Sequence, residues 1–124
     1  MRKGYAAYSN IQAKTETPQQ IEYRLLAQVT AALRKAQEET ATLQDRLNAV
    51  LWNEKVWNAF LCDLSETGNT LPDQLKDSLI QLARWVVCET ALVIEGKAEL
   101  TAMINVNRQI MEGLRDQFRF AQAS

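Results

Sequence analysis

The feature that most limits the fold is a long apolar stretch at residues 72–95, PDQLKDSLIQLARWVVCETALVIE. Pro72 suits the first turn of a helix, and Gly96 is placed to end that helix. Apolar residues recur at three- and four-residue spacings along three stripes, which together cover most of the helix surface. A helix that is apolar nearly all round is a buried one. The pattern therefore predicts a central helix that the rest of the chain surrounds.

The length and residue content of the chain disfavour an enzyme. The 124 residues predict one domain, residues 1–124, that can bury a core without disulfides or metals. The chain has no histidine, which removes the commonest general base and the commonest metal ligand. Its four glycines stand apart, so they form no phosphate-binding loop. We therefore expect a protein that has no catalytic residues, bound metal or cofactor.

Charge and hydropathy disfavour nucleic acid and membrane as partners. The 14 Lys and Arg residues are interleaved with 15 Asp and Glu residues, and the isoelectric point is about 5.5, which is not the pattern of a nucleic-acid-binding face. Arg84 and Glu89 interrupt the longest apolar run, well short of the ~20 residues that a membrane span needs. The first residues contain no apolar core of an export signal. These features predict a cytosolic protein.

The two cysteines, Cys62 and Cys88, each lie in an apolar helical stretch. This placement predicts buried, reduced thiols with a structural role. In an antiparallel pair of helices, about 14 helical residues, or roughly 20 Å, would separate the two sulfurs. A disulfide needs Cα atoms within about 7 Å of each other. We therefore expect no bridge between these residues.

Helical periodicity continues on both sides of the central stretch. Apolar stripes at three- and four-residue spacing predict each further helix, and no strand-like alternation is longer than a few residues. The predicted fold class is all-α, a compact helical bundle. Its main helices are expected at about 18–39, 43–64, 72–95 and 98–113, with an N-terminal arm at 1–17 and a tail at 115–124.

Local signals predict where these helices begin and end. Thr17 and Gln20 form a capping-box pattern around a proline that fits the first helical position. Either Thr40 or Thr42 could cap the second helix, although nothing there excludes one continuous helix. Gly113 weakens the fourth helix by ~1 kcal/mol relative to Ala, so the helix is expected to end or bend there.

The apolar stripes also predict the core. Asn107 lies in the middle of the stripe of the fourth helix. A buried amide at such a position is expected to hydrogen-bond to the backbone of a neighbouring helix and set the packing register, which we favour over a ligand site. The predicted core residues are Trp57, Leu79, Leu82, Trp85, Val86, Ile104, Asn107 and Met111.

Apolar residues outside these stripes are the candidates for partner contact. Trp52 and Val56 point roughly away from the stripe of the second helix, and an exposed Trp beside a Val would be a protein-binding site. Tyr5, Tyr8 and Ile11 give the arm one apolar side, which either folds back onto the domain or binds a partner. The predicted partner-binding residues are Trp52, Val56, Tyr5 and Tyr8.

Four blocks of sequence carry a family resemblance. They are ETPQQIEYRLLAQVTAAL at 16–33, LWNEKVWNAF at 51–60, GNTLPDQLKDSLIQLARWV at 68–86 and INVNRQIMEGL at 104–114. Together these blocks resemble the alphaproteobacterial FlaF family of flagellar biosynthesis regulators. They occur in the order and at the spacing of that family, and they span nearly the whole chain.

The resemblance implies a small cytosolic protein that acts on flagellin. FlaF proteins are described as promoting flagellin production and export, opposed or partnered by the regulator FlbT, and as behaving like flagellin chaperones. Such a chaperone needs apolar surface that holds the amphipathic terminal helices of flagellin, and it needs no catalytic residue. The implied partners are monomeric flagellin and, as a second candidate, FlbT.

Two other functions stay open on the sequence. One is a post-transcriptional regulator that binds flagellin mRNA, which the acidic isoelectric point and scattered basic residues disfavour. The other is an adaptor that binds FlbT or export components without touching flagellin.

Overall fold

The computed structural model describes residues 17–66 and 71–123, with side chains for all of these except Gln19 and residues 117–123. This part of the chain contains no strand and forms helices only, which confirms the all-α fold class. The helices are α1 Pro18–Ala36, α2 Leu43–Ser65, α3 Asp73–Ile94 and α4 Thr101–Ala123.

The predicted helix bounds hold to within one turn, except at the end of α4. The expected end at Gly113 and the expected tail are wrong, because α4 continues to Ala123. A Cβ added at Gly113 would meet no atom within 4 Å. The glycine therefore faces open space, and its low helix propensity is outweighed by the residues on either side.

Two capping boxes begin the first pair of helices. The Gln20 N–H donates to Thr17 Oγ1 at 3.2 Å, and the Thr17 N–H donates to Gln20 Oε1 at 3.0 Å, as predicted. At the start of α2, the Asp45 N–H donates to Thr42 Oγ1 at 3.0 Å, and the Thr42 N–H donates to Asp45 Oδ2 at 2.9 Å. Thr42 is thus the cap, and α1 and α2 are separate helices.

Gly96 ends α3, as its position predicts. Its φ is +74°, a left-handed conformation that residues with a Cβ rarely adopt. The Lys97 N–H donates to the Leu92 carbonyl at 2.8 Å, and the Gly96 N–H donates to the Val93 carbonyl at 3.0 Å. These two bonds form a Schellman motif, which satisfies carbonyls that a helix end leaves without partners.

The helices pack closely in the order α3, α2, α1, α4, so that α2 has a neighbour on each side. One core cluster joins α1, α2 and α4 through Leu33, Val50 and Met103. A second cluster joins α1 to α2 through Leu26, Val29 and Val56. The third joins α2 to α3 through Trp57, Ala83 and Val86.

The prediction that α3 is buried nearly all round is wrong. Its buried residues are Ala83, Val86 and Thr90, and the first two pack with Trp57 of α2 and beside Val106 and Ile110 of α4. Val87 and Ile94, on another side, are exposed. The middle positions in the packing order therefore belong to α2 and α1. Apolar periodicity could not show this, because it does not distinguish a side that the same chain covers from a side left open.

Half of the eight predicted core residues are buried. Trp57, Val86, Ile104 and Asn107 are buried. The remaining predicted core residues are half-buried, and three of them pack against core clusters. These half-buried residues are Leu79, Leu82, Trp85 and Met111, of which Leu79 is the one outside the clusters.

The predicted burial of the cysteines is wrong. Cys62 on α2 and Cys88 on α3 are both exposed free thiols. Each helix buries only part of its circumference, and each cysteine lies on a part that faces solvent. None of the helices in the described part is both long and apolar enough to cross a membrane.

Candidate protein-binding surface

The large apolar side chains that stay exposed lie on α2 and α3. No described residue of α1 or α4 belongs to this set, which consists of Leu43, Leu51, Trp52, Leu75, Val87, Leu92 and Ile94. Single exposed apolar residues are ordinary on a protein surface. Seven on two adjacent helices are more than scattered single residues, and parts of this set are candidates for contact with a protein partner.

Five apolar residues of α2 and α3 make one candidate binding surface. On α2, Leu43, Leu47 and Leu51 follow at four-residue spacing and share one side of the helix. On α3, Val87 and Ile94 are seven residues apart and share one side of the helix, and Ile94 lines the same cleft as Leu43 and Leu47. We call these five residues the outer seam. Its α2 part extends over about 12 Å, which is just over two turns of helix.

A cleft of about 410 Å³ lies at one end of the outer seam. It forms where the ends of α1 and α3 meet the start of α2. Leu43, Leu47 and Ile94 line it, together with the buried Val50 and with Arg46 on the rim. Leu43 is 70% exposed, so a large apolar side chain is presented at the mouth of the cleft. The arrangement can accept an apolar side chain from a partner.

Of the predicted partner-binding residues, Trp52 is exposed and Val56 is not. Trp52 is 38% exposed and lines a second cleft, of about 420 Å³, between the end of α1 and the start of α2. Val56 is only 6% exposed and packs with Leu26 and Val29 of α1. The expectation that Val56 lies outside the core is wrong, because α2 packs on two sides and its buried face is wider than one stripe.

The other two predicted partner-binding residues, Tyr5 and Tyr8, lie outside the described residues. The outer seam, in contrast, consists of residues that the periodicity of α2 and α3 placed in the core. A clue was present in the sequence: α3 carries more apolar residues than one packed side can use. The periodicity did not reveal which of them stay exposed.

The buried polar residue Asn107 is confirmed as a structural element. Its Oδ1 accepts from Trp57 Nε1 at 2.8 Å, and its Nδ2 donates to Asn53 Oδ1 at 2.8 Å and to Thr30 Oγ1 at 3.2 Å. The bonds run to side chains rather than to the predicted backbone groups. Among the described residues every buried side-chain N or O atom has a partner, so this network joins α1, α2 and α4 in one fixed arrangement.

A third depression lies at the other end of the α1–α2 pair. It is a groove of about 270 Å³ with an apolar floor and two carboxyl groups, those of Glu22 and Asp63. Burial raises the pKa of Glu22 to about 7, and a hydrogen bond and the negative charge of Asp63 add to the shift. We call this depression the Glu22–Asp63 groove. Sequence reasoning missed it, since the two acids are 41 positions apart and meet only in the folded chain.

One family of known proteins matches this chain. The model of the family described as flagellar protein FlaF matches residues 5–114, which include α1, α2, α3 and more than half of α4. No curated protein and no solved structure matches the chain.

Proposed function

Because this chain belongs to the FlaF family of flagellar proteins, we propose that it binds monomeric flagellin as a chaperone and promotes flagellin production and export. The proposed location is the cytoplasm, where flagellin monomers are made. The observation that supports a binding role is the set of seven exposed large apolar side chains on α2 and α3. A chaperone acts by covering apolar surface on its client, so it must carry apolar surface of its own.

The proposed binding mode is a helix laid along a groove. An amphipathic helix presents apolar residues at positions i, i+3 or i+4, and i+7 on one side. The outer seam offers contacts at the same spacing, with Leu47 and Leu51 one turn apart and Val87 on the adjoining helix. One large apolar residue of the client would enter the cleft beside Leu43 and Ile94. A terminal helix of flagellin held in this way is kept from assembling before export.

Titration calorimetry tests the partner and the flagellin segment together. The purified protein is titrated with monomeric flagellin from the same organism, and then with flagellin that lacks its terminal helices. We expect binding to the first and none to the second. Failure to bind full-length flagellin at tens of micromolar would contradict the chaperone proposal, and FlbT would then be the next protein to titrate.

A pair of variants tests the surface. Leu51→Ser with Val87→Ser removes apolar area from the middle of the outer seam, at positions that are exposed in the free protein. We expect flagellin affinity to fall at least about tenfold, which corresponds to about 1.4 kcal/mol. Leu75→Ser is the matched control, because Leu75 is an exposed leucine of α3 outside the seam. Equal affinities of the two variants would rule out the outer seam while leaving flagellin binding intact.

A further inference from the structure

One side of α3 carries a pattern of charged and apolar residues that is complementary to itself. We propose that two copies of this chain associate through that side, with their α3 helices antiparallel about a two-fold axis. Arg84 of each copy then lies beside Glu95 of the other. The inference goes beyond flagellin binding and does not rest on it, and its test uses the protein alone.

Four exposed residues define this side of α3 and of the turn that ends it. We call them the α3 stripe: Arg84, Cys88, Ala91 and Glu95. They follow at spacings of four, three and four residues, so they fall within about 60° of one another around the helix. The buried residues of α3 lie about 140° away around the helix from the centre of the stripe. The stripe therefore faces away from the core.

The α3 stripe is symmetric about its own midpoint. Arg84 and Glu95 are equally far from that midpoint, at opposite ends, and Cys88 and Ala91 are equally far from it inside them. When two such helices run antiparallel, Arg84 is level with Glu95 of the second copy, and Cys88 is level with Ala91. The spacing is also that of the a and d positions of a coiled coil, which pack against each other in this way. Within the stripe, opposite charges thus meet twice.

Exposed apolar side chains border the α3 stripe on both sides. Val87 is 41% exposed and lies about 70° to one side of the stripe, and Leu92 is 40% exposed and lies about 70° to the other. In the proposed pair, Leu92 comes beside the half-buried Trp85 of the second copy, and Val87 comes beside the exposed Ile94. Association removes this apolar area from water, which is the main driving force for such contacts.

The charges favour a second copy of the chain as the occupant. Arg84 is exposed, and a guanidinium can make two parallel hydrogen bonds to a carboxylate. Glu95 pairs with Lys97 at 3.1 Å, with the two side chains 54% and 68% exposed. An ion pair this exposed contributes little to stability, so the carboxylate can take a second cation at low cost. A two-fold axis then repeats each favourable contact.

The size of the contact sets its expected strength. The stripe from Arg84 to Glu95 is about 17 Å long. One short helix pair makes a small interface of the weak class, so we expect the dimer to form at tens to hundreds of micromolar. Because Val87 and Ile94 also belong to the outer seam, a second copy covers the α3 part of the seam when no other partner is bound.

The native cysteines allow a direct test in the full chain. In a Cys62→Ala variant the single thiol is Cys88, and the two Cys88 residues of the dimer are offset by about 4.5 Å along the helices. A short bismaleimide should therefore join two copies. The matched control is Cys88→Ala, whose single thiol, Cys62, is equally free and exposed but lies on α2. We expect a covalent dimer from the first variant and little from the second.

Charge variants identify the contact. Sedimentation equilibrium of Arg84→Glu should show a dissociation constant at least about tenfold higher, because both ion pairs become repulsive. Adding Glu95→Arg exchanges the two charges and should restore the dissociation constant to within about threefold of the wild type. Arg108→Glu, at an exposed position of α4, is the matched control and should leave dimerisation unchanged.

Three outcomes would overturn the proposal. The first is a wild-type protein that stays monomeric at several hundred micromolar. The second is equal cross-linking through Cys62 and through Cys88. The third is a dimer that Arg84→Glu does not weaken or that the exchanged charges do not restore, which would mean that the copies meet through another side.

Discussion

The α1–α4 half and the α2–α3 half of the bundle differ in how far their apolar side chains are buried. On α1, Leu26, Val29 and Leu33 are fully buried, and on α4 Met103 is fully buried too. On α3, Val87 and Ile94 face solvent although they belong to the most apolar stretch of the chain. Both halves bury apolar residues, and among the described side chains the large apolar ones that stay exposed all lie on α2 and α3.

The reason lies in the packing order. α2 packs against α1 on one side and α3 on the other, while α1 also packs against α4. The buried polar network joins α1, α2 and α4 and does not include α3. α3 joins this core from its edge, through Trp85 and Val93 on the first cluster and through Ala83 and Val86 in the third. An edge helix with an apolar outer side is a ready surface for a partner, which is how we interpret the outer seam.

The largest expected contrast is between two leucines, one in each half. Leu33→Ala removes a side chain with 0% exposure from the cluster of α1, α2 and α4, and should cost about 3 kcal/mol of unfolding free energy. Leu92→Ala, at a position 40% exposed on α3, should cost less than about 1 kcal/mol. Urea denaturation followed by circular dichroism measures both. Similar losses would mean that α3 contributes as much to the core as α1 does.

The polar network supplies the next largest effect. Asn107→Ala leaves the Trp57 indole N–H without its acceptor and removes the donor to Asn53 and Thr30, all within the core. We expect a loss of about 2 kcal/mol, since each buried polar group left without a partner is costly. Asn105→Ala, at an exposed position on the same helix, should change stability by no more than about 0.5 kcal/mol. A loss at Asn107 as small as at Asn105 would show that the network does not hold the three helices together.

Local features of the fold could be predicted from the sequence, and contacts between distant residues could not. The start of a helix depends on residues that are close in sequence, so the capping-box pattern of Thr17 and Gln20 correctly predicted the start of α1. Asn107 was predictable as a buried amide, because a polar residue in an apolar stripe must find partners inside. Its partners were not predictable, since Asn53 and Thr30 come from distant parts of the chain.

The sequence predicted the exposure of individual side chains poorly: some residues expected to be exposed are buried, and some expected to be buried are exposed. The periodicity places Val56 outside the core and Val87 within it, and the structure reverses both. Periodicity describes one helix at a time, whereas burial depends on how many neighbours that helix has. α2 lies between α1 and α3 and buries more than its stripe, whereas α3 packs closely against α2 and leaves Val87 and Ile94 exposed. Cys62 and Cys88 were assigned to the core for the same reason and are exposed.

Two glycines, one on the last helix and one at the end of α3, should respond in opposite directions to alanine. Gly113 is inside α4 and a Cβ there meets nothing within 4 Å, so Gly113→Ala should stabilise the protein by about 0.5–1 kcal/mol. Gly96 has a φ of +74°, so Gly96→Ala should destabilise it by about 1 kcal/mol. Thermal unfolding of both variants tests this. A loss of stability at Gly113 would mean that the added methyl group meets a neighbouring atom, so that the position is not open.

An effect of similar size concerns the Glu22–Asp63 groove at the start of α1 and depends on pH. The pKa of Glu22 is raised from 4.5 to about 7, first by burial and then by Asp63. Between these values the folded state binds more protons at Glu22 than the unfolded state does, so the stability contributed by this group falls as pH rises through that window.

Glu22→Gln removes this dependence, because the amide does not titrate. The variant should match the wild type near pH 4 and exceed its stability above pH 7 by about 1 kcal/mol, a value reduced by the solvent that reaches this half-buried side chain. Urea denaturation at both pH values measures the difference, with Glu112→Gln on α4 as the control that leaves the groove intact. A constant difference between Glu22→Gln and the wild type at the two pH values would mean that the groove does not hold Glu22 away from water.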